Sequence, residues 1–240
     1  MSRRSITICH LYDKEMNIYG DTGNVLALQW RLEQRGVDVR LASCGVGDTL
    51  PGDIDIVVAG GGQDSGQFRV VNDLLTKKNK LKQMHEDGVV FLAICGMYQL
   101  FGHSFSTAER EIEGVSIFDM KTVAAEGRLI GNVNCTSDKL GELVGFENHS
   151  GRTVLADKHQ ALATVTKGAG NNDEDDTEGC VSKNAFGTYL HGPVLPKNPL
   201  LADELIRRAM EKKYGKGVQL VQLDDSYAMR AAEVAKKLPR

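Results

Sequence analysis

The chain has 240 residues, 41% hydrophobic and 25% charged, an ordinary balance for a globular protein able to bury a sizeable core. A formal net charge of -3 gives no basic footprint, which argues against nucleic acid as a partner, and no apolar run approaches the ~20 residues that cross a bilayer. The five cysteines (Cys9, Cys44, Cys95, Cys135, Cys180) are too scattered for a disulfide framework or a zinc site. With no apolar segment behind Arg3 and Arg4 to act as an export signal, the expected location is the cytoplasm.

Ser5–Tyr12 reads as a first strand. The connection after it, 13–24, is long for a strand-to-helix loop, and its role is open at this stage. Asp21 or Thr22 is placed to cap a helix running through Val25, Leu28 and Leu32 to Gly36. Val37–Ala42 is a short second strand and Ile54–Ala59 a third, which runs directly into Gly60-Gly61-Gly62-Gln63-Asp64. Such a glycine cluster permits either a tight turn or the close approach of a ligand to bare amides. There is no GxxxxGK[ST] or GxGxxG pattern to indicate a nucleotide. Gln67–Asp87 is helical, with Leu74, Leu75, Leu81 and Met84 towards the sheet and His85 on the exposed side.

Val89–Ile94 is apolar without alternation, as in a strand buried on both faces. At Cys95 the period changes at once to Met97, Leu100 and Phe101, so the chain turns from strand into helix with the cysteine on the corner. An elbow of this kind lifts one side chain above the sheet at a helix N-terminus, where unpaired amides and the helix dipole favour a thiolate. A buried structural cysteine would fit this stretch alone. The element order predicts an α/β fold: a doubly wound, mainly parallel sheet flanked by helices, with ligands at the carboxyl ends of the strands.

From Ser104 onward, short β-elements are expected at Gly114–Met120, Leu129–Cys135 and Thr153–Leu155, with His149 and His159 among the turns. The acidic stretch Gly168–Gly179 reads as a mobile, solvated hairpin tip. Ala185–Leu190 is strand-like and delivers His191 at its end, and Leu200–Lys213 and Ser226–Lys237 are helical. A thiolate needs a base within reach and amide donors aimed at an oxyanion. His191 is the best placed of the six histidines for the first task, and the amides near Gly61 and Gly62 for the second. His10 ends the first strand and His103 follows the elbow helix.

With Ala59–Asp64, Ala93–Gly102, Gly145–Gly151 and Gly187–Pro193 assembled, the sequence resembles class I glutamine amidotransferases of the cobyric acid synthase-like branch. Within that branch, Asn17–Asn24 and Glu126–Asn132 are similar to the glutaminase subunits of lipid II isoglutaminyl synthases. The resemblance implies one amidotransferase domain over 1–240, with a core of about 5–210 and a helical extension of about 211–240. It implies Cys95 as nucleophile, His191 as base and Arg128 as the anchor of the glutamine α-carboxylate. By the same analogy Gly61, Gly62 and Gly96 form the oxyanion hole, and no metal or other cofactor is called for.

One position departs from the family pattern. Pro193 stands where a triad glutamate usually follows the histidine, so the expected machinery is a Cys95–His191 dyad. Glu147 is a conceivable acid that spacing does not support. The implied reaction converts L-glutamine to glutamate and ammonia. The ammonia would go to a separate MurT-like, ATP-dependent Mur ligase subunit acting on the D-glutamate of the lipid II stem peptide, forming a heterodimer with this chain. A different acceptor, such as a corrinoid, is a near alternative. A cysteine peptidase or γ-glutamyl hydrolase using the same elbow, and a non-catalytic scaffold, are readings from other classes.

Overall fold

The computed structural model describes residues 3–62, 64–107 and 109–239. Met1 and Ser2 of the N-terminal stretch and Gln63 of the glycine motif lie outside the described residues. Its organising element is a six-stranded sheet of β1 (Ser5–Leu11), β2 (Asp38–Cys44), β3 (Ile56–Ala59), β4 (Val90–Ile94), β11 (Cys180–Ser182) and β12 (Ala185–Thr188), in the order β11-β12-β4-β3-β1-β2. Every neighbouring pair is parallel except β11–β12 at the edge. β3, β4 and β12 are buried at every position, which is why their sequences run apolar without alternation. The helices α1 (Thr22–Glu33), α2 (Asp64–Glu86), α3 (Gly96–Leu100) and α4 (Pro199–Tyr214) flank this sheet.

The second sheet departs from expectation. Instead of short elements, β7 (Met120–Ser137) and β8 (Gly141–Leu155) form one long antiparallel hairpin of 18 and 15 residues with a register shift between Ala124 and Leu129. β7 also pairs with β5 (Ser104–Ser106) and β9 (Ala163–Lys167), while β6 (Glu111–Glu113) and β10 (Thr177–Glu178) extend the sheet. Gly114–Met120 is not a strand; only Met120 belongs to one. The hairpin hides from a pattern search because it is exposed around residues 125–128, beside its register shift, so no apolar alternation spans its length.

Three local expectations are corrected. His85 is buried, with its Nε2 3.0 Å from the carbonyl of Ser182 on the edge strand. His149 lies within β8 rather than in a turn. The 168–179 stretch is folded onto the body, with Asn171, Asn172, Thr177 and Glu178 buried. Its two asparagines find partners there: Asn171 Nδ2 donates to the Gly179 carbonyl at 3.0 Å and Asn172 Nδ2 to that of Thr153 at 3.0 Å. Partners of this kind offset the cost of taking polar groups out of water.

The segment after α4 also returns to the body. Arg31, buried in α1, donates to Asp203 of α4 at 2.7 Å and to Asp225 at 2.5 Å, just before α5 (Ser226–Lys237). Asn134 of β7 then donates to the Lys236 carbonyl at 3.3 Å. Among the described residues no helix is long and apolar enough to cross a membrane.

Candidate active site

Cys95 occupies the expected corner between β4 and α3, with φ 50° and ψ -107°. A non-glycine residue held there stores strain of about 1–3 kcal/mol, and such strain persists only where surrounding contacts over-determine it. Here the Cys95 amide donates to the Thr188 carbonyl at 2.9 Å, linking the corner to the end of the neighbouring strand β12. Beneath it a buried polar chain runs across the elbow. Gln67 Nε2 donates to the Gly96 carbonyl at 3.0 Å and to Gln99 Oε1 at 2.7 Å, and Gln99 Nε2 donates to the Tyr189 hydroxyl at 3.1 Å. The Tyr189 and Thr153 hydroxyls are 2.7 Å apart.

His191 lies three residues beyond β12, so adjacent parallel strands bring Cys95 and His191 to one crevice. Its backbone is held in a two-bond bridge to Phe146 of β8: His191 N donates to Phe146 O at 3.0 Å and Phe146 N to His191 O at 3.2 Å. The imidazole is packed between two rings, Tyr19 stacked at 4.1 Å and Phe146 edge-on at 5.9 Å. Buried Glu178 accepts the Tyr189 amide at 2.9 Å and the Thr188 hydroxyl, fixing the segment that leads to His191.

Burial, then His149 nearby, lowers the His191 pKa to about 4 against the opposing pull of Glu147. The ring is therefore neutral at physiological pH and able to accept a proton. Because kcat/KM reports groups of the free enzyme, the acid limb of any His191-dependent activity should fall near pH 4 rather than at the ordinary 6.5. As pH drops through that value the imidazole takes a proton and the base is lost. A kcat/KM profile over pH 3.5–8 checks this, and a limb at 6.5 would mean that the working imidazole is solvated.

Glu147 is fully buried, two residues before His149 on β8. It accepts the Ala169 and Gly170 amides at 3.0 and 2.9 Å, and its Oε2 is 3.8 Å from His149 Nε2. His149 is stacked on Tyr189 at 3.6 Å, so this acid–imidazole pair lies behind the residue that braces the elbow. At position 193 the proline ring rests on Gly23, where any Cβ would come within 2.4 Å of it.

Of the glycine motif, Gly61 lies over the elbow: a Cβ built on it would be 3.2 Å from Cys95 Cβ. Its amide donates to Asp21 Oδ2 at 2.7 Å, so in this state that amide is taken. The Asp21 carboxyl, which does not cap α1 as its position suggests, is pushed up to about 6 by burial, against the bonds from Gly61 and Asn24. The Gly96 amide is the first of α3 and has no preceding turn to bond to. A Cβ on Gly62 would meet Met16 Sδ at 2.6 Å. Arg128 is exposed on β7, its guanidinium held by Asn148 through Nε at 2.7 Å to Oδ1 and Nη2 at 2.9 Å to the carbonyl.

The model of the CobB/CobQ-like glutamine amidotransferase domain matches residues 7–199. The chain belongs to the CobB/CobQ-like glutamine amidotransferase family. Among curated members it is 39% identical over 231 residues to the subunit GatD of lipid II isoglutaminyl synthase (glutamine-hydrolyzing) from Staphylococcus aureus, covering 95% of this chain and 94% of that one. The same subunit from Streptococcus pneumoniae is 38% identical, covering 95% and 89%. A solved glutamine amidotransferase shares the fold at TM-score 0.56 and 12% identity, covering 84% of this chain and 98% of that one.

Residues to which sequence reasoning gave no part in the candidate site now stand around Cys95 and His191: Tyr19, Asp21 and Phe146. The length of the 13–24 loop, and the resemblance carried by Asn17–Asn24, were the signals that could have found the first two.

Proposed function

We propose that this chain hydrolyses L-glutamine and supplies the ammonia to a separate ATP-dependent, Mur ligase-like subunit, which amidates the D-glutamate of the lipid II stem peptide. The observation that carries the reading is Cys95 on a strained strand-to-helix corner with neutral His191 delivered by the adjacent strand. Likeness to the two GatD subunits over nearly their whole length supports the acceptor.

In this reading Arg128 pairs with the α-carboxylate of glutamine. As Cys95 Sγ attacks the γ-amide carbon, its proton passes to His191, and the amide oxygen becomes an oxyanion facing the Gly62 and Gly96 amides. Gly61 joins them once Asp21 releases it. His191 returns the proton to the amine, the C–N bond breaks, and ammonia leaves a γ-glutamyl thioester on Cys95. His191 then takes a proton from water as that water attacks the thioester, and glutamate departs as the thiol is restored. A neutral resting imidazole suits this sequence, in which the base is charged only during each attack. The synthetase partner uses ATP to activate the acceptor carboxylate, which places the reaction in the cytoplasm.

The test reconstitutes the partner with Cys95→Ala and supplies either glutamine or concentrated ammonium. Amidated lipid II, followed by mass, should vanish with glutamine and return with ammonium. Continued glutamine-driven amidation would show that the ammonia comes from elsewhere.

A further inference from the structure

The site is shut. Cys95 is 4% exposed and His191 1%, so a glutamine side chain cannot reach either without a movement of what covers them. The cover is the 17–24 loop. The Tyr19 ring lies flat on the imidazole, 19° from parallel, and its Cδ2 is 3.0 Å from the point where a Cβ on Gly61 would stand, with Cys95 Cβ 3.2 Å from the same point. The reacting amide must sit in that space for sulfur to attack it. The phenol hydroxyl lies beside the Arg128 guanidinium, and Asp21 takes the Gly61 amide.

The loop is also a preformed unit. Asn17 Oδ1 accepts the Thr22 amide at 2.9 Å, Asn17 Nδ2 donates to Thr22 Oγ1 at 2.9 Å, Ile18 N donates to the Gly61 carbonyl at 3.2 Å, and Gly20 turns the chain at φ 78°. Its contacts therefore coincide with three groups that glutamine would use in the reading above: the base, the carboxylate anchor and one oxyanion donor.

We propose that Asn17–Asn24 is a substrate-mimicking latch, with Tyr19 filling the glutamine subsite between His191 and Arg128 and Asp21 occupying the Gly61 amide. The proposal rests on the glutaminase reading for the identity of the displacing ligand, but the latch itself rests on geometry. Opening then selects the substrate. A ligand bearing an α-carboxylate exchanges the neutral phenol at Arg128 for a charge-assisted pair, and its γ-amide oxygen replaces Asp21 at Gly61. A simple amide satisfies only one of these and leaves the latch closed. An equilibrium held shut in this way answers only to a ligand that binds the open form better.

The measurement is the rate of Cys95 alkylation by iodoacetamide, read peptide by peptide on the full chain without glutamine or partner. Tyr19→Ala should raise that rate at least about tenfold, the factor that a latch closed nine-tenths of the time or more would impose. Tyr19→Phe, which keeps the stack but loses the hydroxyl at Arg128, should give a smaller increase. Cys9, Cys44, Cys135 and Cys180 are each no more than 1% exposed, so their silence certifies the fold. If Tyr19→Ala labels them too, Tyr19→Phe decides: faster labelling confined to Cys95 supports the latch, and an unchanged rate overturns it. An unchanged or slower Cys95 rate in folded Tyr19→Ala overturns the latch even if glutamine is hydrolysed. Faster labelling in a protein that never hydrolyses glutamine keeps the latch and removes the glutaminase reading.

Discussion

Replacing Cys95 with serine, or His191 with alanine, is expected to lower glutamine hydrolysis by at least about a thousandfold. The serine hydroxyl holds its proton far more tightly than a thiol. An imidazole whose pKa burial has lowered to about 4 is a poor base for removing it. His191→Ala removes the proposed base for the thiol proton and the proposed acid for the leaving amine. Since the proposed mechanism uses the two residues as a unit, the double variant should be scarcely worse than either single one. Steady-state ammonia release measures all three, and a melting temperature within a few degrees of wild type shows that the fold survives. Turnover by Cys95→Ser within about tenfold of wild type would remove Cys95 as the nucleophile.

Arg128→Ala is expected to cost about ten- to hundredfold in kcat/KM for glutamine, the equivalent of losing a charged hydrogen bond of about 1.5–3 kcal/mol. The loss should fall mainly on KM, since in the proposed reading the carboxylate is held in ground state and transition state alike. Lysine should rescue little. Asn148 holds the guanidinium through Nε and Nη2, which fixes the plane of its fork, and an ammonium cannot reproduce either that hold or a bidentate pair with a carboxylate. Kinetic assays with wild type, Arg128→Ala and Arg128→Lys decide it. Unchanged kinetics in the alanine variant would leave Arg128 as a brace for Asn148 on the hairpin.

The parts of this molecule legible in its sequence are those where one local rule acts alone. The buried strands β3 and β4 are continuous apolar runs because helices cover both faces, and the change of period at Cys95 marks the elbow because strand and helix demand different spacings. His191 could be found because it follows the strand-like run Ala185–Leu190; that this strand lies beside β4 is seen only in the fold. Arg128 came from a resemblance, since nothing in its spacing distinguishes it from an ordinary loop arginine.

What only the tertiary structure decided is which polar residues are partnered. The 168–179 stretch read as solvated and Glu147 as an acid without support from spacing, yet that carboxylate binds two amides of the stretch more than twenty residues away, and Asp21 finds the Gly61 amide forty residues on. His149 looked like a turn residue and is instead stacked on Tyr189 inside a hairpin whose register shift breaks the alternation that would have revealed it. Tyr19 is one aromatic in a polar loop until β12 brings His191 beneath it. Hydrophobic periodicity reports which face of an element leaves water. It carries no record of long-range hydrogen bonds or ring contacts, because these depend on where the rest of the chain has been placed. The chemistry of the corner was therefore written locally, while the state of the site, shut by its own loop, belongs to the assembled fold.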